Sequence, residues 1–164
     1  MAGTATPATA LLKKSKTTHL VHSYSHDSRS ESFGDEAVAA LATKVGVEPA
    51  QIFKTLVIKL DTGSLAVAVL PVPDKLSLKA AAAALGANKA SMADRLEAER
   101  SSGYVFGGIS PLGQRKKLPT VLDVSALRWD RILCSAGRRG LEIELRPTDL
   151  VSLSGAATAT ITAG

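Results

Sequence analysis

The chain is poor in cysteine, in aromatic residues and in long apolar runs. Its 164 residues include one cysteine, Cys134. An intrachain disulfide and a cysteine-based metal cage are therefore both excluded. One Trp, two Tyr and three Phe leave the core to aliphatic and alanine packing. No apolar run approaches the roughly 20 residues needed to cross a bilayer, so no membrane association is expected. Leu11-Leu12 follows Thr and Pro and precedes lysines, the wrong order for a secretory signal peptide. A cytoplasmic location is expected. What is present fits a folded chain: hydrophobic residues make up 45% and charged residues 21%, unlike the composition of disorder. One domain is the default at this length. Twenty Lys and Arg against 15 Asp and Glu give a net charge of +5 at pH 7. That surplus is compatible with a polyanionic partner without requiring one.

The pattern along the chain alternates helices and strands irregularly. Pro7–Lys16 reads as a helix with Ala8, Leu11, Leu12 and Ser15 on one side. Leu20–Tyr24 reads as a short strand, and 26–32 as a polar loop. Asp35–Lys44 reads as a helix with acids in its first turn, ended by Gly46. Val47–Gln51 is a short helical turn. Phe53–Leu60 and Leu65–Val72 flank Asp61-Thr62-Gly63-Ser64, a hairpin signature. Leu78–Leu85 is a helix stopped by Gly86, and Asp94–Arg100 is another. Tyr104–Phe106, Thr120–Val124, Arg131–Ser135 and Leu141–Leu145 are strand candidates. Pro147–Leu153 is a final helical stretch. The Ala/Thr/Gly-rich segment 154–164 reads as a frayed tail. This order predicts an α+β domain with a mixed sheet.

Two stretches carry candidate chemistry. On a strand Lys54 shares its face with Leu56, Ile58 and Leu60. A lysine in apolar surroundings snorkels outward, finds a partner, or faces a cavity that receives a polar group. Such an ammonium could hold a carbonyl or phosphate and offset developing oxyanion charge. Gly107-Gly108-Ile109-Ser110-Pro111 is a loop whose glycines allow close backbone approach; a plain tight turn is the alternative. Gly113-Gln114-Arg115-Lys116-Lys117 and the arginines of Ser135-Ala136-Gly137-Arg138-Arg139-Gly140 are either solvated charge or phosphate contacts. Ser135 could bond a substrate amine or ester oxygen; no serine-hydrolase motif accompanies it. Cys134 lacks the marks of an activated thiol. His19, His22 and His26 have no companion metal signature, and strand positions 19 and 22 face opposite ways. No metal or other cofactor is expected.

FKTLVIKL, GYVFGGISPLGQRKKLPTVLD and SAGRRGLEIEL together resemble the YbaK-type aminoacyl-tRNA deacylases, and within them the Cys-tRNA(Pro) deacylases. These are relatives of the editing domain inserted in bacterial prolyl-tRNA synthetases. The resemblance runs from about Thr6 to Leu153 and implies one editing domain over 1–153, with 154–164 as a flexible tail. It implies a curved mixed sheet, barrel-like at one end, surrounded by helices. It also implies that Lys54 is the key catalytic residue. Tyr24, Phe33, Thr55, Gly107, Gly108, Ile109, Ser110, Pro111, Ser135 and Gly137 would bind substrate. Many relatives carry tyrosine at the position of Phe33, and the family often has proline where Ser28 stands. Arg115, Lys116, Lys117, Arg138 and Arg139 would contact tRNA phosphates. The implied partner is the acceptor end of tRNA(Pro), with prolyl-tRNA synthetase as a second; DNA is not expected. The implied reaction hydrolyses the ester of Cys-tRNA(Pro), with the substrate's own thiol attacking its carbonyl. The alternatives are an Ala-tRNA(Pro) deacylase that activates water, and a non-catalytic module binding tRNA or a synthetase.

Overall fold

The computed structural model describes residues 3–25 and 33–163, with the side chains of Phe33 and Gly34 left undescribed. The expected loop 26–32, with His26 and Ser28, lies outside the described residues. Thr6 starts the first helix, α1 (Pro7–Lys14), through a reciprocal capping box with Thr9. Pro7 fits the first turn, and Lys13 and Lys14 complement the dipole in the last. β1 (Leu20–Ser23) follows, then α2 (Phe33–Leu41), which continues into a π-helical turn over Ala42–Gly46. After a short 3₁₀ turn at Pro49–Gln51 come β2 (Phe53–Leu60) and β3 (Leu65–Pro71), paired antiparallel from Phe53↔Pro71 to Lys59↔Leu65. Next are α3 (Leu78–Ala84), β4 (Ala90–Met92), α4 (Arg95–Ser102) and β5 (Thr120–Asp123). β6 (Ile132–Arg138), β7 (Leu141–Leu145), α5 (Pro147–Ser154) and β8 (Ala157–Ala159) complete the chain.

The strands form two sheets, ordered β1-β7-β6 and β4-β2-β3-β5-β8. The second is mixed: β3 with β5 and β5 with β8 run parallel, the other pairs antiparallel. A parallel bridge, Ile52↔Leu133, ties the two sheets where β2 begins. The α+β domain expected from the sequence is thus present, its strands divided between two joined sheets. One face of the β2–β3 hairpin sends Phe53, Val57, Val67 and Val69 into a core shared with Leu12, Cys134, Ile143 and Leu145. The opposite face packs Ile58, Leu60, Ala66, Ala68 and Leu70 against α3 through Ala81. Burial on both faces explains why β3 reads as a continuous apolar run.

Two expectations are corrected. Tyr104–Phe106 is not a strand. Left-handed Gly103 ends α4, and the segment is then held by other bonds: Tyr104 Oη donates to Leu112 O at 2.6 Å, and Phe106 N–H to Glu99 Oε2 at 2.8 Å. The described part of the expected tail 154–164, residues 154–163, is not frayed. Ala157–Ala159 pairs with β5, Ile161 is fully buried, and Ile161 N–H donates to Asp123 Oδ1 at 2.9 Å. The small Ala and Thr side chains of β8 hide a ladder that is fixed by backbone bonds and a single anchor. β4 was also absent from the sequence reading, being three residues long and mostly exposed.

Candidate active site

Between the sheets lies a cavity of about 420 Å³. It is lined along β2 from Phe53 to Val57, next to the Ile52↔Leu133 bridge. Lys54 and Thr55 from β2, Ser135 from β6, Glu142 from β7 and Tyr24 just after β1 supply its polar groups. Gly107 and Ile109 close another side, and Met92, Arg95 and Phe106 stand at the more exposed end. Six of the sequence-predicted residues therefore meet in one cavity: Tyr24, Lys54, Thr55, Gly107, Ile109 and Ser135.

Lys54 is half-buried, and its Nζ donates to Val72 O at 3.2 Å and Asp74 O at 2.6 Å. Burial lowers its pKa below the ordinary lysine value, while the Asp35 and Asp74 carboxylates pull it back up. The two carbonyls hold the ammonium at the inner end of the strand without neutralising it. Thr55 Oγ1 is buried and, among the described residues, has no hydrogen-bond partner. A buried hydroxyl left unpaired in a cavity wall is suited to a ligand.

Glu142 is the residue that sequence reasoning missed. Only 5% of its surface is exposed. It stands opposite Ser135 in the β6–β7 ladder and opposite His22 in the β1–β7 ladder. Burial pushes its carboxyl from 4.5 up to about 8, so it is largely protonated at neutral pH. A neutral carboxylic acid in a cavity can donate a hydrogen bond or a proton. Tyr24, pushed up to about 12 by burial with Glu142 adding to it, likewise keeps its proton. The sequence signal was misleading: in Leu141-Glu142-Ile143-Glu144-Leu145 strict alternation suggests a solvated acidic face. Glu144 follows that rule in part, bonding His22 Nε2 at 3.0 Å, but Glu142 faces the cavity.

The remaining predicted residues support the cavity from behind. A Cβ on Gly108 would stand 2.6 Å from Arg139 N and 2.8 Å from Arg138 Cα, so the loop docks directly on the β6–β7 turn. Gly137 has φ +106°, and a Cβ there would stand 2.6 Å from Tyr104 Cε1. Ser110 is fully buried, its Oγ accepting from Leu112 N–H at 3.2 Å. Pro111 lines a smaller cavity of about 230 Å³ behind the loop. The Phe33 side chain lies outside the described part of the structure. Arg115, Lys116 and Lys117 are exposed. Arg138 Nη2 donates to Gly3 O. Arg139 is paired with Glu36, Nη2 to Oε1 at 3.1 Å, with both side chains mostly buried. That ion pair fastens the β6–β7 turn to α2 and takes up the guanidinium assigned to phosphate.

Cys134 is fully buried on the face opposite Ser135, and burial raises its thiol well above the ordinary value. His19 Nδ1 lies 2.7 Å from Thr17 O. Among the described residues, no three His, Cys, Asp or Glu side chains cluster closely enough to hold a metal ion.

A mixed two-sheet domain enclosing a cation, three hydroxyls and a protonated acid defines a small-molecule or ester-binding site rather than an exposed recognition surface. The description of the aminoacyl-tRNA editing domain matches residues 35–153, and the chain belongs to that family. EbsC of Enterococcus faecalis (strain ATCC 700802 / V583), named as a candidate Cys-tRNA(Pro)/Cys-tRNA(Cys) deacylase, is 40% identical over 123 residues, 75% of each chain. A crystal structure of a candidate trans-editing enzyme for prolyl-tRNA synthetase superposes with a TM-score of 0.83 at 24% identity, covering 100% of this chain and 99% of that one. A scaffold used for computational epitope-backbone grafting gives the same TM-score at 23% identity and the same coverage. These two structures share the fold. Editing domains act on the ester of aminoacyl-tRNA, so the chain is by class an aminoacyl-tRNA deacylase.

Proposed function

We propose that the chain hydrolyses the ester between a wrong amino acid, cysteine above all, and tRNA(Pro), acting in trans on tRNA released from the synthetase. The observation that carries this reading is the cavity's chemistry: Lys54, Thr55, Ser135, Tyr24 and protonated Glu142 around about 420 Å³, with the protein's own thiol buried elsewhere. The 40% identity to a candidate Cys-tRNA(Pro)/Cys-tRNA(Cys) deacylase supports it. Cysteine and proline are similar in size, and a pocket discriminates one methylene by only about 1–3 kcal/mol. A second sieve therefore has a physical reason to exist.

Glu142, the carboxyl beside Ser135, is held protonated and so is not the base that would make a nucleophile of that hydroxyl. The substrate's thiol fills that role. Its sulfur attacks the ester carbonyl, the C–S bond forms, and the C–O bond to the ribose breaks. A cyclic thiolactone leaves, the ribose oxygen takes up a proton from the cavity acid, and the proton given up by the thiol restores that acid. Lys54 offsets charge on the carbonyl oxygen, and Glu142 is the cavity acid that can supply the proton.

The test compares purified protein on Cys-, Ser-, Ala- and Pro-charged tRNA(Pro). Cysteine and serine esters differ by one atom and fit nearly the same pocket, whereas the thiol is far the stronger nucleophile near neutral pH. Cys-tRNA(Pro) should be cleaved much faster than Ser-tRNA(Pro), with thiolactone as the first product. Equal rates with free cysteine as the first product refute the cyclisation and favour water attack. No turnover of any ester refutes the function.

A further inference from the structure

Folding sorts the basic residues of the chain's second half into separate places. Arg139 pairs with Glu36, and Arg138 reaches Gly3 O. Lys117 lies against the end of α5, its Nζ 3.8 Å from where a Cβ on Gly155 would stand. Arg115 and Lys116 are held elsewhere. Arg115 N–H donates to Ser102 O at 2.8 Å, and Lys116 N–H to Ser101 O at 3.1 Å. Those two bonds pin the segment beside the last turn of α4, which carries Arg100. A Cβ on Gly103 would stand 3.5 Å from Arg115 Nε. The guanidinium therefore lies over the C-terminal end of α4, where the helix dipole favours a cation.

The acids of α4 already have partners. Asp94 caps the helix, its Oδ2 accepting from Leu96 N–H at 3.2 Å and Glu97 N–H at 3.4 Å. Glu97 Oε2 stands 3.1 Å from Lys59 Nζ. Glu99 Oε2 accepts from Phe106 N–H at 2.8 Å and stands 4.0 Å from Arg95 Nε. Arg100, Arg115 and Lys116 are exposed, and among the described residues no acid pairs with them. Three uncompensated cations at one helix end make a local positive field that draws an anion.

The other end of α4 borders the cavity. Arg95 lines its more exposed end, with a side chain 63% exposed and a guanidinium 4.9 Å from the Phe106 centroid. From Arg95 to Ser102 the helix rises about 10 Å. We infer that α4 and the segment pinned to it form a track for the RNA backbone of the acceptor end, running from Arg95 to Arg100, Arg115 and Lys116. The inference rests on the aminoacyl-tRNA reading. An ester held in the cavity is attached to a chain of phosphates that leaves by the exposed end, and α4 leads away from there. Contacts of this kind position RNA without reading its sequence, so selection among tRNAs falls to other surfaces.

Full-length protein is tested on two esters: a cysteinyl acceptor-stem minihelix, and 3′-cysteinyl adenosine, which has no phosphates. The Arg100→Glu, Arg115→Glu double variant, its fold checked by circular dichroism, should lose about 10- to 100-fold in kcat/KM on the minihelix at low salt. The loss should fall on KM, and the rate on cysteinyl adenosine should be unchanged. Wild-type turnover of the minihelix, or an equal loss on both esters, overturns the track. Binding of the uncharged minihelix gives a reading that needs no turnover. The milder Arg100→Gln, Arg115→Gln variant should flatten log affinity against log salt by roughly 1.4–1.8, two contacts at about 0.7–0.9 each. Lys75→Gln, Lys79→Gln removes the same charge in and before α3, from exposed positions, and should keep the wild-type slope. An unchanged slope in the first variant, or equal flattening in both, overturns the track. Wild-type protein that cleaves neither ester while the slopes behave as stated overturns the deacylase and supports the track.

Discussion

Glu142 on β7 stands directly across the ladder from Ser135 on β6, and both side chains border the cavity. A carboxyl is thus set beside a hydroxyl where burial disfavours a charge. Folding holds Glu142 protonated, its pKa raised from 4.5 to about 8. The sign for stability follows. Between these values the folded chain binds a proton that the unfolded chain releases. The contribution is fully present below about pH 4.5 and is lost as pH rises toward about 8.

Glu142→Gln keeps the shape and removes the titration. Urea denaturation of both proteins at pH 5 and pH 8 should show the wild type losing on the order of 2–4 kcal/mol more than the variant over that range. Parallel pH profiles for the two proteins contradict a protonated Glu142. Deacylation by the variant should fall as well, since an amide offers no proton to the leaving ribose oxygen.

Lys54→Ala should retain the fold and lose about 10²–10³ in the rate of deacylation. Among the described residues the side chain bonds to two carbonyls at the strand end, Val72 O and Asp74 O, so little packing is removed. Circular dichroism and single-turnover rates measured together separate a chemical defect from an unfolded one. A folded variant with wild-type turnover removes Lys54 from the mechanism.

The hairpin and the cavity lysine were legible because their signals are local. Asp61-Thr62-Gly63-Ser64 sets a turn between alternating strands, and the alternation fixes which residues share the face of Lys54. Glu142 was not legible, for the complementary reason. Alternation says which side chains share a face, but not what covers that face, and here the other sheet covers it. β8 was hidden in a composition of Ala and Thr, because its stability comes from pairing with β5 and from Ile161 and not from its own side chains. The role of Gly108 was legible only as permissiveness; its contact with residue 139 joins positions far apart in the chain.

Gly108→Ala tests that contact. The added methyl meets backbone, not a movable side chain, at 2.6–2.9 Å, so the loop or the β6–β7 turn must shift. A cost of about 1–3 kcal/mol is expected, together with reduced deacylation because Gly107 and Ile109 line the cavity. Thermal unfolding and the rate at saturating substrate give the two readings. A variant with unchanged stability and activity shows that the loop is free to move away without consequence.

Removing charge at Arg139 and at Lys116 should fail in different ways. Arg139 is tied to Glu36 at 3.1 Å with both side chains mostly buried, so Arg139→Ala breaks a mostly buried ion pair and should destabilise by about 3–5 kcal/mol. Lys116 and Lys117 are exposed, and their replacement by Ala should leave stability within about 0.5 kcal/mol of the wild type. If they contact tRNA phosphates, the double variant should bind uncharged tRNA more weakly at low salt. Each lost contact should also flatten the plot of log affinity against log salt by about 0.7–0.9. Urea denaturation and filter binding at several salt concentrations separate the two classes. An unchanged salt slope in the Lys116→Ala, Lys117→Ala double variant takes the basic run out of the tRNA interface. An Arg139→Ala variant that keeps full stability but loses salt-dependent binding returns that arginine to the interface.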